Sequence, residues 1–251
     1  MRAAVVEEKA REYLRTGNVL LATGRFREAL TAFNRAIEIS PKYAAFWHGK
    51  GYVCRMLHCY DEALAAYDQA IRLDPSNACP WHEKGNLYFR LGLRAEALAA
   101  YDRAIQLAPF LVHAWHGKGN VCFYLGQYDD ALAAYDRAGE LDSTDPDPWH
   151  GKGNVYFSLG LYDDALVSYN HALRLLPTDA DSWHGKGNVY RKLQNFVEAI
   201  AAYDQAIELD PTNAMPWQGK GYVLMGLGRY PEAIAAFNRA YNLRTKQTAA
   251  D

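Results

Sequence analysis

Histidines recur every 34 residues, as His48, His82, His116, His150 and His184, and four residues after the last four stand Asn86, Asn120, Asn154 and Asn188. Repeated imidazoles raise zinc, and repeated amides raise a ladder for a peptide backbone. The string WHGKGN, which begins at Trp115, Trp149 and Trp183, raises phosphate binding. Zinc needs its ligand nitrogens about 2.0–2.1 Å from one ion, whereas neighbouring helices lie about 8–10 Å apart. One histidine per helix therefore does not converge, and only His113 with His116 could borrow His82 or His150. Nor does GKG satisfy a P-loop, which wants G-x-x-x-x-G-K-[ST] at a strand-to-helix turn. No nucleophile–base pair or carboxylate pair recurs outside the repeat's own positions, so catalysis, a cofactor and a metal are all unexpected.

Six tryptophans (Trp47, Trp81, Trp115, Trp149, Trp183 and Trp217) share the same step of 34, and one step back falls on Tyr13. A fixed period of that length denotes a repeat array. With tryptophan at position 4, seven units tile 10–43, 44–77, 78–111, 112–145, 146–179, 180–213 and 214–247, with an extension at 1–9 and a tail at 248–251. Each unit predicts two helices. Gly92 interrupts the third unit midway, and Ala97, Tyr101, Ala104 and Ile105 then fall on one helical face. Pro80, Pro148 and Pro216 suit a first helical turn. Asn77, Asp145, Asp179 and Asn213 just ahead are expected N-caps.

Tryptophan at 4, glycine at 8, alanine at 20, tyrosine or phenylalanine at 24, alanine at 27 and proline at 32 resemble the tetratricopeptide repeat. That resemblance implies an all-α, right-handed α-solenoid of seven helix-turn-helix units, with a concave groove lined by the first helix of each. Two departures are visible. Position 7, usually leucine, is lysine in six units, with a stem expected to cover aromatics while its amine reaches water; Ser143 replaces the closing proline of the fourth unit.

Glycine at position 8 is expected to let the second helix approach. Glycine at position 6 (Gly49, Gly117, Gly151, Gly185, Gly219) lies off that packing arc, which leaves either close approach of a ligand backbone, or drift or simple crowding between neighbouring first helices. Positions 2, 5, 9, 12 and 13 form the opposite arc and, by the resemblance, the groove. They supply the histidines and asparagines above, Phe89, Phe123 and Phe157, Tyr124, and the carboxylates Asp147 and Asp181. Amides match the C=O and N–H of an extended peptide, and phenylalanines offer side-chain pockets. Alternatively, Asn and His hydrogen-bond between adjacent units and staple the array, while Phe is partly buried. The histidines predict a mild pH response of binding.

A protein or peptide partner is therefore expected, with a basic residue near Asp145, Asp147, Asp179 and Asp181. The family's groove for chaperone carboxylates is not carried over, because it wants lysine where histidine stands at position 5. Net charge -2 and a step of 34 rather than 35 argue against nucleic acid. No apolar run suits a membrane. The start MRAAVVEEKA reads as no signal peptide, and Cys54, Cys59, Cys79 and Cys122 read as thiols of a cytoplasmic protein. Self-assembly is the alternative function, because Ile234, Phe237 and Tyr241 of the last helix have no capping helix after them. RTKQTA (Arg244 to Ala249) resembles the start of a core histone tail and reads as coincidence.

Overall fold

Each unit folds into two α-helices joined by a tight turn. The computed structural model describes residues 2–248, with side chains for 6–246, and these form fourteen helices and no strand. Contacts divide the chain into two compact units, Met1–Leu125 and Gly126–Asp251. The first contains α1 (Arg2–Ala22), α2 (Phe26–Ile39), α3 (Ala44–Met56), α4 (Tyr60–Leu73), α5 (Ala78–Arg90), α6 (Arg94–Leu107) and α7 (Val112–Tyr124). The second contains α8 (Tyr128–Leu141), α9 (Asp147–Leu159), α10 (Tyr162–Leu175), α11 (Ala180–Lys192), α12 (Phe196–Leu209), α13 (Ala214–Gly226) and α14 (Tyr230–Thr248). No helix is long and apolar enough to cross a membrane among the described residues.

Helix starts follow the sequence. The side chains of Asn77, Asp179 and Asn213 accept bonds from the first-turn amides of α5, α11 and α13, and Asp145 accepts from Asp147 N–H at 3.0 Å. The expected prolines sit in the first turns of α5, α9 and α13. At position 15 the turn needs a left-handed residue: Gly24, Gly92, Gly126, Gly160 and Gly228 have φ between 73° and 76°. His58 and Gln194 occupy the same place at φ 61° with a side chain attached.

Within each unit, each helix packs on its chain neighbours, and the first helix of one repeat also touches the first helix of the next (α1–α3, α3–α5, α5–α7; α9–α11, α11–α13). The second helices supply the core through positions 20, 24 and 27, such as Ala97, Tyr101 and Ala104 in α6 and Ala165, Tyr169 and Ala172 in α10. Small alanines let the backbones approach and leave room for one large ring per repeat.

Ion pairs and indoles tie successive repeats together. Each position-7 ammonium lies 4.5–5.9 Å from the centroid of the tryptophan three residues earlier in Lys50, Lys84, Lys118, Lys152 and Lys186. In four repeats it also binds the aspartate at position 25 of the preceding one: Lys84–Asp68, Lys118–Asp102, Lys152–Asp136 and Lys220–Asp204, at 2.5–2.7 Å. The amine expected to reach water is thus engaged by a carboxylate at these four places. Indole N–H groups of Trp47, Trp115 and Trp183 donate to the carbonyls of Pro41, Pro109 and Pro177 at the close of the preceding repeat. Trp149 follows Ser143 instead, and its ring stacks on His171 at 3.8 Å.

Candidate functional site: the face of the first helices

The glycines at position 6 belong to the core rather than to a ligand. A β-carbon on Gly185 would stand 2.5 Å from Tyr169 Cζ, and one on Gly153 at position 8 would stand 2.6 Å from Cε1 of the same ring. Tyr169 is thereby clasped between the first helix of its own repeat and that of the next. Tyr203 lies in this way between Gly187 and Gly219, Tyr101 between Gly85 and Gly117, and Phe33 between Gly17 and Gly49. Both sequence alternatives for position 6 are corrected: the crowding partner is a tyrosine or phenylalanine of the preceding second helix. α3, α5, α9, α11 and α13 each pack against two second helices, so their buried arc is wider than the apolar pattern alone displays.

The same tyrosines orient the asparagine column. Tyr101 OH donates to Asn86 Oδ1 at 2.6 Å, Tyr169 to Asn154 at 2.7 Å and Tyr203 to Asn188 at 2.8 Å. This fixes the amide orientation and turns Nδ2 toward the histidine one turn back: Asn86–His82 and Asn120–His116 at 3.4 Å, Asn188–His184 at 3.2 Å. A neutral imidazole accepts from an amide N–H, and burial lowers the pKa of His184 and His48, which favours that form. His150 Nδ1 lies 2.9 Å from Ser182 Oγ and 3.7 Å from Asp179 Oδ2. The amide oxygens of Asn86, Asn154 and Asn188 are thus engaged inside the fold, within one repeat rather than between repeats.

The remaining predicted residues lie at differing depths. Phe89, Phe123 and Phe157 are half-buried, whereas Tyr124 is 59% exposed and packs beside Phe89, Phe123 and Arg94. Asp147 and Asp181 are exposed in the first turns of α9 and α11. Asp179 caps α11, whereas the N-cap of α9 is Pro146 and the expected cap Asp145 stands one residue ahead of it, accepting from Asp147 N–H. Ile234 and Tyr241 are exposed on α14, while Phe237 is half-buried against Tyr222, with ring centroids 5.2 Å apart. In the terminal string, Arg244 donates to Gln218 Oε1 and Thr245 caps carbonyls of α14; Ala249 lies outside the described residues.

One concavity of about 260 Å³ draws on three successive first helices: Phe157 of α9, His184, Asn188 and Arg191 of α11, and Met215, Gln218 and Tyr222 of α13. Met215 and Tyr222 keep about half their surface exposed (49% and 45%). Phe157, His184 and Asn188 were expected here from sequence. Arg191 and Met215 were missed, although Arg191 stands at position 12, the phenylalanine column, and Met215 at position 2.

Arg191 gains its meaning by comparison with Arg55, its equivalent four repeats earlier. Arg55 Nε lies 3.4 Å from Glu83 Oε2, the one position 6 in units two to seven that is not glycine. Burial alone would raise the Glu83 pKa, but His82, Arg55 and His48 hold it below the usual carboxylate range. Beside Arg191 the corresponding residue is Gly219, and Arg191 forms no ion pair among the described residues. Its guanidinium stands 6.0 Å from the Tyr222 ring centroid. The His/Cys/Asp/Glu side chains of the described residues include no group of three able to hold a metal ion.

Models of the tetratricopeptide repeat match residues 14–78, 78–111, 180–213 and 202–235, and a TPR repeat model matches 119–160 and 153–194. No curated protein matches the sequence. Among solved structures, a tetratricopeptide repeat protein from Parabacteroides merdae ATCC 43184 is similar with a TM-score of 0.77 and 19% identity, over 94% of this chain and 93% of that one. The APC/C hetero-tetramer Cut9–Hcn1 is similar with a TM-score of 0.77 and 22% identity, over 86% of this chain but only 43% of the matched one. YrrB, a TPR protein described as having an unusual peptide-binding site, is similar with a TM-score of 0.59 and 26% identity, over 75% and 97%. Repeat models over most of the sequence, and an all-α array of helix pairs clasping one ring per repeat, place the chain in the tetratricopeptide repeat family.

Proposed function

We propose that this chain is a non-catalytic interaction scaffold that holds a peptide or helix of a partner protein on the face of its first helices. The observation that carries this reading is the concavity around Arg191, where a cation without a carboxylate stands among Phe157, Met215 and Tyr222. Such a site suits an apolar side chain followed by an acidic group, which would take the place Glu83 takes beside Arg55. A basic residue of the same ligand would face the exposed Asp147 and Asp181. The asparagine column then acts chiefly by positioning, because its oxygens already accept from tyrosines. Panning a random phage-displayed peptide library against the chain tests this. Enriched peptides should pair an apolar with an acidic residue and bind Arg191→Ala roughly 10- to 30-fold more weakly, with unchanged melting. Enrichment of no peptide, or equal binding by the variant, would refute the assignment.

A second reading, self-association, is favoured by the outer face of α14, where Tyr230, Ile234 and Tyr241 are 62%, 59% and 68% exposed. Sedimentation equilibrium separates the two, since a strict monomer at high concentration removes this one.

A further inference from the structure

Two grooves one repeat apart are built alike and charged oppositely. The first, between α8 and α9, is lined by Asp136, Gly139, Glu140, Pro148, Trp149 and Lys152. There Lys152 Nζ binds Asp136 Oδ1 at 2.6 Å, and Glu140 leaves the groove with a formal charge of about -1. The second, between α10 and α11, has Val167, Asn170, Leu173, Arg174, Trp183 and Lys186 and encloses about 500 Å³. Asn170 replaces the aspartate and Arg174 replaces the glutamate, so this groove carries about +2 and no carboxylate.

The substitution breaks a pattern that four other junctions keep. Four position-7 lysines are each neutralised by an aspartate of the preceding repeat. Lys186 forms no ion pair among the described residues; its ammonium rests 4.9 Å from the Trp183 ring centroid and 5.8 Å from that of Tyr190. Partial burial lowers its pKa, as expected of an ammonium that has lost solvent without gaining an anion. At Lys50 the position-25 residue of the preceding repeat is likewise an asparagine, Asn34, but Glu62 lines a groove beside that lysine. The Lys186 groove joins a second cation, Arg174, with no carboxylate in its lining, whereas the groove at Lys50 holds Arg72 together with Glu62. Val167, 63% exposed, provides an apolar wall. Lys186 stands two residues from His184, so it points about 200° around α11 from the face proposed above.

We infer that the α10–α11 groove is a second binding surface, for a carboxylate-rich segment of a partner protein. The internal template defines the chemistry. A carboxylate oxygen sits 2.5–2.7 Å from the lysine ammonium at the four equivalent junctions, and here that carboxylate must come from outside. Arg174 would take a second acidic side chain of the same segment, and Val167 would pack against its stem. This inference is independent of the site at Arg191, because it uses other residues on another face.

An acetylated hexaglutamate peptide is a direct probe, followed through the indole N–H resonances of the intact chain. Trp183 should shift saturably, while Trp217, beside the neutralised Lys220–Asp204 pair, should hold still. Asn170→Asp supplies the missing carboxylate from within, using the residue that stands at this place in four other repeats, so the fold is preserved. It should weaken binding at least about tenfold, and Arg174→Glu, at an exposed site, should do the same. Undiminished binding to Asn170→Asp, or equal shifts at Trp183 and Trp217, would overturn the inference. Tighter binding of a twelve-nucleotide oligo-dT at Trp183 would overturn the choice of a protein carboxylate as occupant.

Discussion

Replacing Gly185 by alanine places a methyl group 2.5 Å from Tyr169 Cζ, about 1 Å inside ordinary contact. The ring cannot retreat toward α9, because Gly153 gives it just enough room on that side, with a built β-carbon 2.6 Å from Cε1. Its hydroxyl is bound to Asn154 Oδ1 at 2.7 Å, so a tilt would also strain a bond worth about 0.5–1.5 kcal/mol net. Overpacking of this kind costs about 1–3 kcal/mol. Against it stands the helix propensity gained from glycine to alanine, about 1 kcal/mol. The net expectation is a loss of about 2 kcal/mol, or a melting temperature lower by about 4–8 °C at this chain length. Gly139, within α8, is the control, since its added β-carbon would meet only Pro148 Cβ at an ordinary 4.0 Å. Gly139→Ala should therefore raise the melting temperature by a few degrees. Thermal unfolding by circular dichroism measures both. If the two variants move in the same direction, the clasp of tyrosine between glycines does not explain why the repeat keeps GKG.

Two other perturbations follow from local geometry. Gln194 holds φ 61° at a turn position where five repeats use glycine, so Gln194→Gly should stabilise by about 0.5–1 kcal/mol in urea unfolding; a loss would mean the side chain has a role beyond the turn. His48 and His184 have pKa values lowered chiefly by burial, so the unfolded chain takes up more protons than the folded one as pH falls below about 6.5. Stability should thus be lower at pH 5.5 than at 7.5. The gap should narrow in His184→Gln, which installs the residue found at this position as Gln218, and an equal gap would clear His184 of the effect.

The asparagine column illustrates how one pattern can carry two meanings. Its spacing read correctly as a row on the first helices, and its chemistry suited a peptide backbone. A tyrosine fifteen residues away occupies the acceptor in three repeats, and a histidine one turn back faces the donor. Where position 9 is Tyr52 instead, the Tyr67 hydroxyl has no hydrogen-bond partner among the described side chains. The pairing of Asn at 9 with Tyr at 24 is therefore an internal contact of three repeats as well as a surface feature, and the first repeat, with Asn18 and Phe33, lacks it.

From the sequence alone, period and local signals determined the helix pairs, the caps at Asn77, Asp179 and Asn213, and the family. Those features depend on residues within one or two helical turns, where hydrophobic period and capping chemistry act. Tertiary structure decided which long-range partners the same residues meet. Gly185 touches a ring sixteen residues earlier, Lys152 an aspartate sixteen residues earlier, and the half-buried Arg191 lines a concavity without a carboxylate because Gly219 rather than a glutamate lies ahead of it. A helix's own pattern displays one buried arc, whereas stacking sets a first helix such as α9 or α11 between two second helices, and only that geometry separates a core glycine from a bare surface.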